Sequence, residues 1–395
     1  MRLVTSYMPI LTARIGSGAS AFLVVRLASG GNLEAGLVLA AYPFLEAIGA
    51  LIAGRWSDLA GRKKTLLTGY VVRSAAMLLL AWAFYTHESP LLEAMLNGVI
   101  GFTTAFILTA SLTMATDLTE RRNRGVGMGG FEFINFFSYG VGYLLGSGLY
   151  SLFRDATSYL AVALLTAVAT PIFAKFLSET RPAAPPEGRL LLSVLPPSAV
   201  ALLPVWFALT AIIGLAMYAP RVLRVDSAVI TGKLGEDLAV GLLFIGALLL
   251  LGVGAIFFGR LADRWGRLKV FKIGLSGGLS ALIVLNLALY LGLSPVEAIA
   301  ATAPLLFLTS AIGPSILALI GDEASIHYRG TVMGIYSVML GLGIGVGSLL
   351  AGAMSTIYHG AEIIGLAHAA LGIFAAMTTI HLALTRQLQI RSAEN

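Results

Sequence analysis

GRWSDLAGRKK, at residues 54–64, returns 205 positions later as GRLADRWGRLK, at residues 259–269. The two segments share a Gly, an Asp, a second Gly, an Arg and a Lys at matching places. The same offset aligns two further charged pairs, Asp117 with Asp322 and Arg124 with Arg329. Glycines alone could align by chance in a chain that has 45 of them, but charged residues that recur in register indicate a duplicated unit. We therefore predict two related halves.

The composition of the chain is that of a membrane protein. Of its 395 residues, 57% are hydrophobic and only 12% are charged, whereas a water-soluble chain averages roughly 25% charged residues. This balance excludes a disordered protein, a disulfide scaffold and a partner of nucleic acids. The chain has no Cys, and its five His lack the i, i+4 spacing of a metal site. We expect no metal and no cofactor, and we see no nucleophile–base pattern of an enzyme.

Twelve apolar segments are long enough to cross a bilayer, because a helix needs about 20 residues to span about 30 Å of hydrocarbon. The predicted spans are 6–29, 34–56, 65–86, 90–115, 126–150, 156–177, 198–220, 237–259, 270–292, 295–320, 331–356 and 361–384. A proline-rich break separates the first six from the last six, and Pro does not fit inside a regular helix. We predict an N-terminal half at residues 1–180, a cytoplasmic linker at 181–197 and a C-terminal half at 198–395.

Lys and Arg predict the orientation of these spans. Nineteen of the 26 fall on the termini and loops of one side, four fall on the opposite loops, and three lie inside spans. Cytoplasmic loops carry the excess of basic residues in membrane proteins. We therefore expect a multi-pass protein of the plasma or inner membrane with both termini in the cytoplasm. Because six is an even number, the two halves share one orientation and are related by a pseudo-two-fold axis along the membrane normal.

The repeated segments carry a family resemblance. Both resemble the G-x-L-A-D-x-x-G-R-x-K loop of the major facilitator superfamily, and each follows the second span of its half. Residues 117–129 and 322–334 resemble the loop that joins the fourth and fifth helices in that superfamily. The resemblance implies an all-α fold of twelve transmembrane helices in two six-helix halves. It also implies a secondary active transporter that works by alternating access.

The two loops are expected to act as a cytoplasmic latch between the halves. Asp58 and Asp263 can accept hydrogen bonds from helix N-termini, or pair with Arg62 and Arg267. The alternative is a basic loop that only determines topology, which would explain the Arg and Lys but not the repeated Asp and Gly. The residues of the predicted gate are Gly54, Asp58, Gly61, Arg62, Asp117, Arg124, Gly259, Asp263, Gly266, Arg267, Asp322 and Arg329.

Four ionisable residues lie inside the predicted spans of the N-terminal half, where each costs at least about 2.5 kcal/mol and needs a reason. They are Arg14, Glu46, Arg73 and Glu132, and their repeat-mates are the uncharged Ile212, Leu251, Gly278 and Ser337. One hypothesis is a relay for protons and substrate, because burial makes the ionised form of a carboxylate costly and an anionic substrate can compete for an Arg. The alternative is a static network of ion pairs.

A polar face of the fifth span supports the relay. Glu132, Asn135, Tyr139 and Tyr143 are spaced by 3, 4 and 4 residues and so share one face of a helix. A polar stripe facing lipid is implausible, so we expect this face to line a cavity between the halves.

At the outer ends of the first and seventh spans, Arg26 and Arg224 are related by the repeat. They could attract an anion to an outer mouth, or simply reach toward the lipid headgroups. Together these features predict a secondary active transporter for a small solute, an organic anion or an amphipathic compound, coupled to protons. The alternatives on the same fold are a lipid or lysolipid flippase and a multidrug exporter. The expected partners are the solute, a proton and the bilayer, and we expect a monomer.

Overall fold

The computed structural model describes residues 2–180, 197–223, 235–324 and 329–394, and this part of the chain contains helices and no strand. The helices are α1 (Arg2–Leu27), α2 (Asn32–Ala60), α3 (Arg62–Tyr85), α4 (Pro90–Asp117), α5 (Arg124–Phe153), α6 (Thr157–Phe176), α7 (Pro197–Met217), α8 (Ala219–Val222), α9 (Glu236–Trp265), α10 (Arg267–Tyr290), α11 (Pro295–Thr309), α12 (Ile312–Glu323), α13 (Arg329–Ile357) and α14 (Glu362–Glu394). Residues 181–196, most of the predicted linker, lie outside the described residues, as does Arg224.

Every predicted span overlaps a helix, and the predicted fold class is confirmed. Within the described residues, ten segments are long and apolar enough to cross a membrane. The other two of the twelve predicted spans are α5, whose apolar run is interrupted by polar residues, and the shorter α6. One span, Pro295–Glu323, consists of α11 and α12 in succession. It breaks at Ser310 because Pro314 has no N–H to donate to the Ser310 carbonyl.

The halves meet along two symmetry-related helix pairs. One pair is α2 with α13, and the other is α5 with α9. In both pairs, glycine residues allow the two helix backbones to approach closely. A Cβ on Gly54 would lie 2.7 Å from the Gly330 carbonyl oxygen, and a Cβ on Gly125 would lie 2.5 Å from that of Gly259. These are the same contact in the two copies of the repeat, since the offset of 205 relates Gly54 to Gly259 and Gly125 to Gly330. Small residues permit this backbone approach in membrane helices.

The repeated segments form the turns from α2 to α3 and from α9 to α10. Gly61 and Gly266 separate the helices with φ angles of 105° and 97°, a region that is costly for residues with a Cβ. Each turn therefore requires its glycine. We call the end of the molecule that carries these turns the inner end, following the predicted orientation, and the opposite end the outer end.

Candidate functional site

A small cavity lies between the halves at mid-depth. Its volume is about 20 Å³, which is room for water but not for an organic solute. Most of the wall comes from the N-terminal half, and Met217 and Ile344 close it from the C-terminal half. The polar lining residues are Arg14, Ser17, Ser20, Tyr42, Glu46, Asn97 and Tyr139. Of these, Arg14, Glu46 and Tyr139 were predicted site residues.

Arg14 and Glu46 form a buried ion pair in this cavity. The Arg14 Nη2 atom lies 3.2 Å from Glu46 Oε1, and the two residues are 3% and 0% exposed. Arg14 also donates from Nε to Asn135 Oδ1 at 2.8 Å, which links α1 to the polar face of α5. A buried pair of this kind offers little net stability against an apolar alternative, because both charges lose their hydration. Its position in a cavity therefore points to a role other than stability.

Arg73 reaches the same wall from α3 but has no acidic partner among the described residues. Its Nη2 atom donates to Ser17 Oγ at 3.1 Å, and Ser17 also bonds the Tyr42 hydroxyl at 2.9 Å. The Nε and Nη1 atoms of Arg73 have no hydrogen-bond partner in the described structure, although the residue is 0% exposed. The cavity region thus holds two guanidinium groups and one paired carboxylate.

The fourth predicted charge, Glu132, lies apart from this group and reaches across to the C-terminal half. Its Oε1 atom accepts a hydrogen bond of 3.3 Å from the Tyr336 hydroxyl, and Oε2 has no hydrogen-bond partner in the described structure. The Tyr336 ring stacks on Trp206, with ring centres 4.6 Å apart. The four predicted charges therefore do not form one network of ion pairs, and only Arg14 and Glu46 are bonded to each other.

The predicted polar face of α5 divides between the cavity and the contact between halves. Asn135 holds Arg14, and Tyr139 lines the cavity. Tyr143 instead donates to the Met217 carbonyl at 3.1 Å and stacks on Phe244, with ring centres 4.0 Å apart. Tyr143 therefore joins the halves instead of facing the cavity.

Sequence reasoning did not single out four polar cavity residues, namely Ser17, Ser20, Tyr42 and Asn97. Two of them carried a usable signal. Ser17 follows Arg14 by three residues and Tyr42 precedes Glu46 by four, so each shares a helix face with a predicted charge. Asn97 lies on α4, four residues after Glu93, which was not among the predicted site residues, and its side chain donates to the Val38 carbonyl at 2.7 Å.

At the inner end, the Asp of each repeated turn caps a helix of the other half. Asp58 accepts from the Gly330 and Thr331 amides at 3.1 and 2.9 Å, and from the Thr331 hydroxyl at 2.8 Å. Its repeat-mate Asp263 accepts from the Gly125 and Val126 amides, both at 2.9 Å. These amides begin α13 and α5, where carboxylates are favoured by the helix dipole.

The predicted Arg residues complete two matching networks. Arg62 contacts Asp58 and Asp117, both at 3.2 Å, and Asp117 lies 3.6 Å from Arg329 of the other half. The second network repeats this arrangement. Arg267 contacts Asp263 at 2.7 Å and Asp322 at 3.3 Å, and Asp322 lies 2.8 Å from Arg124 of the other half. Both of the expected modes, helix capping and pairing with Arg, therefore occur together, and the bonds cross between halves.

The outer end is closed by different residues. Arg26 forms an ion pair with Asp237, which begins α9 in the other half. Arg154 lies 3.5 Å from the same Asp237. Arg221 reaches from the C-terminal half to the Gly30 carbonyl at 2.9 Å. In this structure, hydrogen bonds and ion pairs between the halves close both the inner and the outer end, and the cavity lies between the two ends.

Among the described residues, no cluster of three or more His, Asp or Glu could hold a metal ion. An anion entering the cavity would meet Arg14 and compete with Glu46 for it, and a carboxylate that loses its cation in a low-dielectric site takes up a proton more readily.

Comparison with known proteins agrees with this fold. The family model for the Major Facilitator Superfamily matches residues 5–228 and 227–392. The solved structure of the human organic anion transporter MFSD10 is similar with a TM-score of 0.74 and 16% identity, over 96% of this chain and 98% of that one. The proton:xylose symporter XylE, bound to 6-bromo-6-deoxy-D-glucose, is similar with a TM-score of 0.73 and 14% identity, over 98% and 95%. No curated protein sequence matches this chain significantly.

Proposed function

This chain belongs to the Major Facilitator Superfamily, and on that premise we propose that it is a proton-coupled transporter of small organic anions. Family membership and the fold of the similar structures support secondary transport. The finer points, the substrate class and the coupling ion, rest on the site.

The observation that carries the proposal is the Arg14–Glu46 pair in the cavity. Arg73 adds a second buried guanidinium, which forms no ion pair with an acid among the described residues and has two nitrogen atoms without a hydrogen-bond partner there. A region with this excess of positive charge attracts an anion. When the carboxylate of a substrate takes the place of Glu46 at Arg14, Glu46 is left buried without its cation, and it takes up a proton from water. Anion and proton then cross together.

Alternating access uses the contacts at the two ends. The inner networks around Asp58 and Asp263 must break for the cavity to open inward. The Arg26–Asp237 pair must break for it to open outward. Because the two inner networks are copies of one arrangement, we propose that they release together as the halves rock about the cavity.

The lining of the cavity favours a polar solute over a lipid. A lipid or lysolipid flippase is expected to enclose an apolar cavity with a lateral opening. Seven of the twelve residues that line this cavity are polar, and they supply an ion pair, hydroxyls and an amide, so the anion transporter is the better supported of the two.

Transport by purified protein in liposomes tests the proposal. The probes are radiolabelled succinate and citrate, which stay charged and do not cross lipid unaided at neutral pH, and the liposomes carry an imposed gradient of about one pH unit. A coupling of one proton per anion supports about tenfold accumulation in that gradient, since about 1.4 kcal/mol corresponds to a factor of ten. We expect Glu46→Gln to abolish this accumulation while still exchanging labelled for unlabelled anion.

Glu34→Gln is the matched control, because Glu34 lies on the same helix α2 but is exposed. It should accumulate anion as the parent protein does. Accumulation by the Glu46→Gln protein at the parental level would refute this coupling mechanism. Failure of the parent protein to move either anion would refute the substrate class.

A further inference from the structure

Glu132 is a buried carboxylate that the proposed mechanism does not use. It is 1% exposed, its Oε2 atom has no hydrogen-bond partner, and no basic side chain of the described residues forms an ion pair with it. A buried anion without a bonded cation is costly. Arg14 attracts Glu132 through its charge but is already paired with Glu46, so the position favours a further positive group.

The surroundings of Glu132 are those that recognise an organic cation. Trp206, from α7, stacks on Tyr336, from α13, and both are almost fully buried. Glu132 Oε2 and the Trp206 ring atom Cζ3 lie 3.5 and 3.6 Å from one point, the place where a Cβ on Gly313 would stand. Carboxylates together with Trp and Tyr rings bind ammonium groups, because charge attraction and the ring quadrupole act on the same cation.

This place adjoins the anion site along α5. Asn135, which holds Arg14, follows Glu132 by three residues on α5. Three residues correspond to a rise of about 4.5 Å along a helix. The side chain that holds Arg14 and the free carboxylate thus leave α5 about one helical turn apart. This spacing fits the two charged ends of a small molecule.

We propose that the substrate is a zwitterion whose carboxylate binds Arg14 and whose ammonium group binds Glu132, beside Trp206 and Tyr336. The proposal rests on the proposed function for the anion end and names the class of substrate more closely. It also explains how the substrate joins the halves. Arg14 and Glu132 belong to the N-terminal half, whereas Trp206 and Tyr336 belong to the C-terminal half.

Trp206 supplies the readout for a binding experiment. The chain has four Trp, and the other three, Trp56, Trp82 and Trp265, are 41%, 53% and 57% exposed. Replacing these three with Phe leaves Trp206 as the single fluorophore. The protein is titrated with glycine, β-alanine, 4-aminobutyrate and 5-aminovalerate, with acetate, propionate, butyrate and valerate, and with the amines of matching length.

We expect at least one zwitterion to bind about tenfold or more tightly than its matched carboxylate, as close charge pairs at desolvated sites do. In this background, Glu132→Gln should lower the affinity for that zwitterion to the level of the carboxylate and leave the carboxylate itself unchanged. Glu132→Asp keeps the charge and should keep the preference. Glu93→Gln is the control, since Glu93 is also 1% exposed but bonds Ser29 near the outer end.

Three outcomes would overturn the proposal that the substrate is a zwitterion. The first is equal affinity of the parent protein for zwitterions and carboxylates. The second is a Glu132→Gln protein whose affinity falls equally for both classes, and the third is the absence of any fluorescence response to the zwitterions. If the Glu132→Gln protein does not fold, the proposal is still tested by comparing the affinities for zwitterion and carboxylate in the parent background and in the Glu132→Asp protein. Failure of the proposed function would instead appear as a lack of proton-driven accumulation, so the two failures are distinguishable.

Discussion

Weakening one inner cap should open the inner end of the protein. Asp58→Asn keeps the shape of the side chain but removes its charge. Asp58 accepts three hydrogen bonds from Gly330 and Thr331 of the other half. Hydrogen bonds to a charged group contribute about 1.5–3 kcal/mol and neutral ones about 0.5–1.5 kcal/mol. The amide nitrogen of Asn cannot accept a hydrogen bond, so the bond from one of the two backbone amides is lost and the bond from the other weakens by roughly 1 kcal/mol. These bonds exist only while the inner end is closed.

The loss of about 3 kcal/mol in total corresponds to an increase of about a hundredfold in the ratio of inward-open to closed protein. The absence of Cys in the chain makes the measurement direct. Single cysteines at Lys64 and Lys269, which are exposed repeat-mates in opposite halves, carry spin labels for distance measurements by electron–electron double resonance. We expect the population at long distance to rise markedly in the Asp58→Asn protein.

The repeat provides the comparison for this prediction. Asp263→Asn removes the charge from the matching cap, which has two amide bonds, and should open the inner end to a smaller extent. Glu120→Gln is the control, because Glu120 and its partner Arg122 are 70% and 82% exposed and such pairs contribute little. If the distance distributions of the Asp58→Asn and Asp263→Asn proteins superimpose on the parental one, the caps do not keep the inner end closed.

Two further predictions concern the outer end and the packing of the N-terminal half. Arg26→Gln removes one side of the ion pair with Asp237, and it should increase the outward-open population, as measured with spin labels on the outer loops; an unchanged population would contradict a role in closing that end. A Cβ on Gly18 would overlap the Tyr139 carbonyl oxygen, whereas one on Gly148 would meet no atom within 4 Å. Gly18→Ala should therefore destabilise the protein by about 1–3 kcal/mol and lower its Tm in detergent, and Gly148→Ala should not; equal melting of the two would argue against the tight contact of α1 with α5.

The predicted inner gate shows how far sequence reasoning could go. A repeat of charged residues in register indicated that Asp58 and Asp263 share one role, and the two partner types proposed for them, helix N-termini and Arg, are those observed. That the capped helix belongs to the opposite half in both cases was expected only through the resemblance. At the outer end the repeat pointed to Arg26 and Arg224, but Asp237, the partner of Arg26, and Arg221 were not singled out.

The buried charges show the opposite case. Hydropathy alone identified Arg14, Glu46, Arg73 and Glu132 as unusual, because a charge inside an apolar run is visible in the sequence. Their partners were not visible. Glu132 bonds Tyr336, which lies 204 positions along the chain, and Arg73 bonds a serine instead of a glutamate.

What the sequence by itself determined is therefore what depends on local order: the apolar spans, the duplicated halves, the glycine turns and the set of charges that had to be explained. Only the tertiary structure decided which of two glutamates Arg14 takes as its partner, and that Glu132 faces a Trp–Tyr pair of the other half. The physical reason is that an ion pair depends on a few ångströms of separation. That separation is determined by how closely and at what rotation the helices cross, and the crossings are created by glycine contacts between residues far apart in the chain.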